Sequence, residues 1–255
     1  MVPMASFDVL TWNVLHHTHA LNWGEEPVKV FPVERERNVA IAARVARWLR
    51  DGVSVVCLQE VSGDQLARLA DALGDDATLF SHRHARVPRL RVEGASPLED
   101  PGELLVTAVR GPSAGPGACE GASFAEDPGK GFLAVEVKGG LLVINTHVSY
   151  GPRRGEQLAA LARLIRKKGG TSVLMGDFNA PSAVVCEVLG DGIRLATLDG
   201  ARPTRRAIGD HPGSVIDHIL TLGGDAVSAE LADGGDLSDH EPVLGHLLVP
   251  DACAF

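Results

Sequence analysis

Short apolar runs bounded by Gly, Pro and polar clusters recur along this chain, and longer stretches with apolar residues at helical spacing lie between them. Residues 6–13 alternate as a strand that ends on Asn13. Residues 33–51 carry Ile41, Val45, Trp48 and Leu49 on one helical face, and Gly52 ends that helix. Residues 53–58 predict a buried strand that delivers Gln59 and Glu60. Ser62-Gly63-Asp64-Gln65 then has the form of a capping box, opening a helix with Leu66, Leu69 and Leu73 inward. Residues 104–109 predict a strand, and residues 132–137 and 141–145 the arms of a hairpin across Gly139-Gly140. The second arm runs on to Asn145-Thr146-His147. Residues 154–168 predict an amphipathic helix with Leu158, Leu161 and Ile165 inward. Lys167 and Lys168 complement its dipole and Gly169-Gly170 ends it.

Val173-Leu174-Met175 then runs straight into Gly176-Asp177-Phe178-Asn179, a buried strand handing an Asp and an Asn to a tight loop that Pro181 closes. A short helix from Ser182 and a weak strand over residues 193–198 follow. Residues 215–220 predict a strand with Asp217 in its middle. The last strand, residues 243–249, comes after Leu237-Ser238-Asp239-His240-Glu241-Pro242. Residues 14–33, 94–102 and 111–129 read as loops.

Strands interleaved with helices over 255 residues imply an α/β fold. No repeat or linker divides it, so residues 1–255 read as one domain. Aromatics are few, so the core is expected to be Val, Leu, Ile and Ala. A net charge of -9 argues against a broad non-specific grip on nucleic acid, although a local basic patch or a metal bridging to phosphate remains compatible with it. Cys57, Cys119, Cys186 and Cys253 are scattered without a C-x-x-C, which speaks against a disulfide framework or a zinc site. Cys57 and Cys186 read as small core residues. No apolar run is long enough to span a membrane and no signal peptide precedes the first strand. A soluble, cytoplasmic monomer is the expectation.

The chemistry gathers at strand ends. Asn13, Glu60, His147, Asp177, Asn179, Asp217, Asp239 and His240 all lie at or near the end of an apolar run. If strand geometry persists, Asp177 and Asn179 share a face and can hold a water or a metal; the plainer reading is an Asx turn satisfying its own backbone. Carboxylates and carboxamides with two His and no Cys suit Mg²⁺ or Mn²⁺ better than zinc. One such ion with hydrogen-bond donors around an oxyanion is what phosphoryl transfer to water requires. His16, His17 and His19 read as a polar loop beside a cleft, since no carboxylate or Cys joins them at ligand spacing. Arg83, Arg86, Arg89 and Arg91 form a basic stretch, either a solvated loop or, through Arg86 and Arg89, a contact to phosphate.

In order along the chain, Thr-Trp-Asn, Leu-Gln-Glu, Asn-Thr-His, Gly-Asp-Phe-Asn, Ile-Asp-His and Ser-Asp-His-x-Pro resemble the motifs of the endonuclease/exonuclease/phosphatase superfamily, from Asn13 to Pro242. The long segment after Asn13-Val14-Leu15 resembles the poly(A) deadenylase and nocturnin branch. The resemblance implies a four-layer α/β sandwich, two mostly antiparallel or mixed sheets between helices, with the site at one edge. It implies Glu60 as principal metal ligand, helped by Asn13 and Asp239 directly or through water. Asp177 would orient or deprotonate the attacking water, and Asn179 would steady that water or the phosphoryl oxygen. His147 and His240 would donate to phosphate oxygens, with Asp217 fixing the His240 ring.

One segment departs from the family. Where a Tyr or Arg often touches phosphate, residues 96–105 offer acids. Tyr150 and Arg153, just after His147, are substitutes unless they merely belong to a surface loop. The departure puts the substrate in doubt. The expected activity is a metal-dependent phosphodiesterase or phosphatase on a small or mid-sized phosphorylated substrate. The alternative is an endo- or exonuclease on DNA or RNA. A non-catalytic binding protein of the same fold is a third reading, against which the retention of Glu60, Asp177, Asn179 and His240 speaks.

Overall fold

Twelve strands form two mixed sheets in the computed structural model, which describes residues 4–94, 96–111, 119–198 and 202–250. In one sheet β11 (Asp225–Leu231), β12 (Val243–Pro250), β1 (Met4–Asn13), β2 (Val55–Ser62), β4 (Glu103–Arg110) and β3 (Ala77–Arg83) stand side by side. The other has the order β5 (Cys119–Phe124), β6 (Asp127–Glu136), β7 (Leu142–His147), β8 (Ser172–Asp177), β10 (Asp217–Leu222), β9 (Ile193–Leu195). Each sheet has one parallel pair at its centre, β1 with β2 and β7 with β8, and antiparallel neighbours elsewhere. A parallel pair needs a crossover. Helix α3 (Glu34–Arg50) lies between β1 and β2, and α5 (Arg154–Lys168) between β7 and β8.

The central strands read as unbroken apolar runs because both of their faces are covered. Val9, Val55, Cys57, Leu133, Val143, Met175 and Ile219 pack between the sheets. On the outer face of the first sheet, Leu10, Trp12 and Leu58 meet Ile41, Val45 and Leu49 of α3 and Leu69 of α4 (Gly63–Leu73). On the other side Ile144 and Leu174 meet Leu158, Leu161 and Ile165 of α5 and Val185 of α6 (Ser182–Leu189). Helices, sheet, sheet and helices make the expected four layers. No described helix is long and apolar enough to cross a membrane.

Several expectations are corrected. Residues 14–33 are largely helical: α1 (His17–Trp23) closes on Gly24 in the left-handed region, and α2 (Glu26–Val30) starts with Pro27 in its first turn. Both helices are shorter than the window in which periodicity is visible. Of residues 111–129, 119–124 are β5 and the stretch from Asp127 opens β6; residues 112–118, like Cys253, lie outside the described residues. β3 and β11 were not foreseen, and β9 ends at Leu195. Asp217 is the first residue of its strand rather than its middle. Ser62 accepts from Gln65 N at 3.1 Å, but the Gln65 amide donates to Asn38 O, so the capping box is one-sided.

A polar layer ties the sheets together beneath one edge. Asn145 of β7 donates to the carbonyls of Leu58 and Val106 in the other sheet at 3.0 and 2.9 Å, and Gln59 donates to its Oδ1 at 2.8 Å. The pairing of β2 with β4 is irregular between Leu58 and Val61, and Glu60 sits there at φ 59. Such a bulge re-aims a side chain at the rim of a sheet.

Candidate active site

Register explains which residues meet. His147 and Asp177 are Cα partners at the ends of parallel strands, and Asp217, opening the antiparallel β10, faces Asp177. Thr11 pairs with Val243, so the loop of residues 238–242 lands beside Asn13. Glu103, opening β4, pairs with Ser62 just past Glu60, and Gly131 pairs with His147, which brings Lys130 to the same rim. The site therefore draws on ends of strands running one way and beginnings of strands running the other.

Asp177 is its centre. Oδ2 accepts from Asn13 Nδ2 at 3.1 Å and lies 3.3 Å from His147 Nε2 and 3.9 Å from His240 Nε2. Oδ1 accepts from Asn179 N at 2.9 Å. That last bond is an Asx turn, so the structural and the functional reading of Gly-Asp-Phe-Asn hold together. The strand stops at Asp177 and Asn179 reaches the site from φ 47, not by sharing a strand face with Asp177. Arg154 anchors the turn by donating to Asn179 O at 2.7 Å. Gly176, at φ 149, is required: a Cβ there would run into the Thr146 backbone. Burial alone would raise the Asp177 carboxyl, but His147, His240 and Lys130 outweigh it and hold the group well below the usual carboxylate range.

His240 is gripped from behind. Its Nδ1 lies 2.9 Å from Asp217 Oδ2, which also accepts from Thr204 Oγ1 at 2.6 Å. Ser238 and Trp12 fix its backbone. Asp239 Oδ2 lies 3.3 Å from Arg205 Nε and 4.0 Å from His240 Nε2. Arg205 also reaches Glu25, whose carboxyl is pushed up to about 7 by burial and by Asp239.

A second group surrounds Glu60. Its Oε2 accepts from His16 N at 3.0 Å, and its Oε1 lies 3.8 Å from Lys130 Nζ and 3.9 Å from His147 Nε2. Burial opposes its charge, yet His19 and Lys130 bring it down to about 2. Glu103, fully buried, holds His19 Nε2 at 3.0 Å through Oε2 and stands 3.8 Å from Lys130 through Oε1. Glu60, Asn179 and Leu15 (φ 57) are left-handed non-glycine residues clustered at this rim, strain of the kind that accumulates at functional sites.

The expectation that no carboxylate joins the His16–His19 segment is thus overturned, because Glu103 and Glu34, remote in sequence, meet His19 and His17 at 3.0 and 2.8 Å. The basic stretch is less free than its composition suggests. Arg83 is paired with Asp100, and Arg86 lies 2.9 Å from Asp127. Arg153 lies 3.8 Å from the same Asp127. Tyr150 is 84% exposed and makes no polar contact among the described residues. The structure draws Asn13, Glu60, His147, Asp177, Asn179, Asp217, Asp239 and His240 together, but not Tyr150 or Arg89. Lys130, Glu103, Thr204 and Arg205 are not among the residues expected from the sequence, and His19 is expected there only as part of a polar loop beside the cleft. Glu103 and Lys130 stand at the start of apolar runs, a signal equivalent to a strand end; Thr204 and Arg205 carry no such signal.

The donor chemistry fits a divalent cation. His19, Glu60 and Glu103 offer ligand atoms that all lie within 4.8 Å of one another, as do Asp177, Asp217 and His240, and Glu103 Oε1, buried without a hydrogen-bond partner, has the Lys130 ammonium 3.8 Å away.

The family model described as the Endonuclease/Exonuclease/phosphatase family matches residues 10–240. Among curated proteins no sequence match is found. An endonuclease/exonuclease/phosphatase from Bacteroides vulgatus superposes with a TM-score of 0.67 at 18% identity, covering 95% of this chain and 98% of that one. One from Beutenbergia cavernae DSM 12333 gives 0.67 at 24%, covering 96% and 72%. D. rerio TDP2, complexed with single strand DNA product, gives 0.67 at 16%, covering 95% and 99%. At these identities the superpositions establish the fold.

Proposed function

Because the chain belongs to the endonuclease/exonuclease/phosphatase family, we propose that it is a divalent-metal-dependent phosphoester hydrolase in which water attacks phosphorus in line. The observation that carries this reading is the crowding of Asn13, His147 and His240 nitrogens within 4 Å of one Asp177 oxygen, beside the acidic pocket of Glu60. Asp177 orients the attacking water. Its carboxyl, held well below the usual carboxylate range chiefly by His147 and His240, stays ionised and can orient that water or accept its proton. Asn179 steadies the same water. His147 and a protonated His240 donate to non-bridging oxygens as charge grows on them, His240 with Asp217 behind it. Glu60 would hold Mg²⁺ or Mn²⁺, with Asn13 and Asp239 as further ligands directly or through water. When bound, the ion neutralises phosphate oxygens or the leaving group.

A small or mid-sized phosphorylated substrate is favoured over a polymer. The chain carries a net charge of -9, and Arg83 and Arg86 are neutralised by Asp100 and Asp127. A nuclease is the second reading, supported by the DNA product bound to the similarly folded TDP2 and by Arg89 and Arg91. One plate separates them: a generic diester, sugar and nucleotide monophosphates, an oligoribonucleotide and an abasic duplex, each with Mg²⁺ or Mn²⁺. Turnover confined to the small substrates supports the first reading, and turnover confined to the polymers the second.

A further inference from the structure

We propose that Lys130 is a further catalytic residue, whose ammonium donates to a non-bridging oxygen of the scissile phosphate. This deepens the preceding reading and rests on its placing that phosphate beside His147. Nζ of Lys130 lies 2.7 Å from Nε2 and 3.0 Å from Nδ1 of His147. It stands 3.8 Å from Glu60 Oε1 and 3.8 Å from Glu103 Oε1. Lys130 and His147 come from β6 and β7 of one sheet, Glu60 and Glu103 from β2 and β4 of the other, so the ammonium sits where the two sheet edges meet. An oxygen that accepts from His147 Nε2 is beside Nζ, and a small rotation of the flexible stem brings a second donor to it.

The number of its donors carries the inference. An ammonium has three N–H donors and no acceptor, and an imidazole offers at most one lone pair. His147 therefore takes one of the three. The contacts to Glu60 and Glu103 are ion pairs too long to be hydrogen bonds. Two donors are thus without an acceptor among the described residues, on a side chain only 13% exposed. A cation taken this far out of water needs acceptors, and phosphate oxygens form the strong, charge-assisted kind. The charge distribution agrees. Burial opposes ionisation of Glu103, yet Lys130, foremost among its neighbours, helps to hold it well below the usual carboxylate range. The same ammonium acts on Glu60 and on Asp177, so it lies in reach of the acids on both sides of the site.

Lys130 is also presented rigidly. Asp127 accepts from Gly129 N at 3.1 Å and from Ser149 Oγ at 2.9 Å, which pins the start of β6 to the segment just after His147. Gly131 pairs with His147 across the strands, so register sets Lys130 against that ring. The Arg86 guanidinium fills the space where a Cβ on Gly129 would point. A donor fixed before charge develops is what stabilises an oxyanion in the transition state.

The test compares the best substrate with its phosphorothioate, in which sulfur replaces a non-bridging oxygen and accepts hydrogen bonds poorly. Lys130→Met is expected to lower kcat/KM on the order of a hundredfold. It should also shrink the oxygen-to-sulfur rate ratio, because the donor that sulfur serves badly is already gone. Lys130→Arg should restore part of the rate, since it keeps charge and N–H donors in a different geometry. Circular dichroism checks each fold, and Lys130→Gln replaces Lys130→Met if the latter does not fold. An unchanged rate overturns the proposal. So does a lowered rate with an unchanged ratio, the result of a purely structural role. Titration calorimetry with inorganic phosphate in the presence of Mg²⁺ separates this contact from the hydrolase reading. Lys130→Met should lower phosphate affinity on the order of tenfold or more, and an unaltered affinity overturns the contact. Weakened phosphate binding in a protein that hydrolyses no phosphoester would keep the contact and sink the activity; hydrolysis indifferent to Lys130 would do the reverse.

Discussion

Nδ1 of His240 lies 2.9 Å from Oδ2 of Asp217, and both side chains are buried. Burial opposes charge on the ring, but Asp217 and Asp239 outweigh it and push its pKa up to about 10. The folded value is above the unfolded one of about 6.5. The stabilisation from protonating His240 is therefore complete below about pH 6.5 and is lost as pH rises through the folded value. Activity that needs the imidazolium should fall on the alkaline side as pH approaches 10. In Asp217→Asn that limb should move to lower pH, read in a profile of kcat/KM. An unmoved limb would remove Asp217 from the control of His240.

Asp177→Asn should lower turnover by roughly a hundredfold or more, since an amide keeps the shape but cannot hold water and the His147–His240 pair in the same way. KM should change little by comparison. An unchanged kcat would take Asp177 out of the reaction.

Arg37 is 2% exposed and donates to the carbonyls of Val14, Leu15 and Leu237, each at 2.8 Å, while pairing with Glu34 at 2.7 Å. It holds the loop after Asn13 to the loop before Asp239. Arg37→Ala should cost about 3–5 kcal/mol, as breaking a buried pair does, measured by urea unfolding. Arg37→Lys should recover only part, because an ammonium cannot reproduce the fork. A loss below about 1 kcal/mol would show that the pair does not carry this junction.

The basic stretch offers a test of the polymer reading. Arg86 already faces Asp127, so its neutralisation should alter the salt dependence of oligonucleotide binding less than that of Arg89. If both together leave the slope unaltered, the stretch is not a backbone contact.

How much of this was legible beforehand follows from the range of each interaction. The buried strands, α3 and α5 announce themselves through local periodicity, and Gly-Asp-Phe-Asn through its strand-to-loop transition. The edge strands β3 and β11 are half-polar and do not. The pairing of His19 with Glu103 joins residues 84 positions apart, and that of Asp239 with Arg205 spans 34, so no local window contains either. Gln59 and Asn145 belong to motifs at the site, yet their side chains bind the two sheets to each other, a role visible only once the sheets are stacked.

The central claim is metal-dependent phosphoester hydrolysis through Glu60, and the most direct measurement is hydrolysis of the best substrate by chelated protein, with and without added Mg²⁺ or Mn²⁺, beside Glu60→Gln. The expected result is no turnover after chelation, full recovery of the wild type on adding either ion, and partial recovery of Glu60→Gln at high ion concentration. Turnover that survives exhaustive chelation, or a Glu60→Gln enzyme indistinguishable from the wild type at every ion concentration, would contradict it.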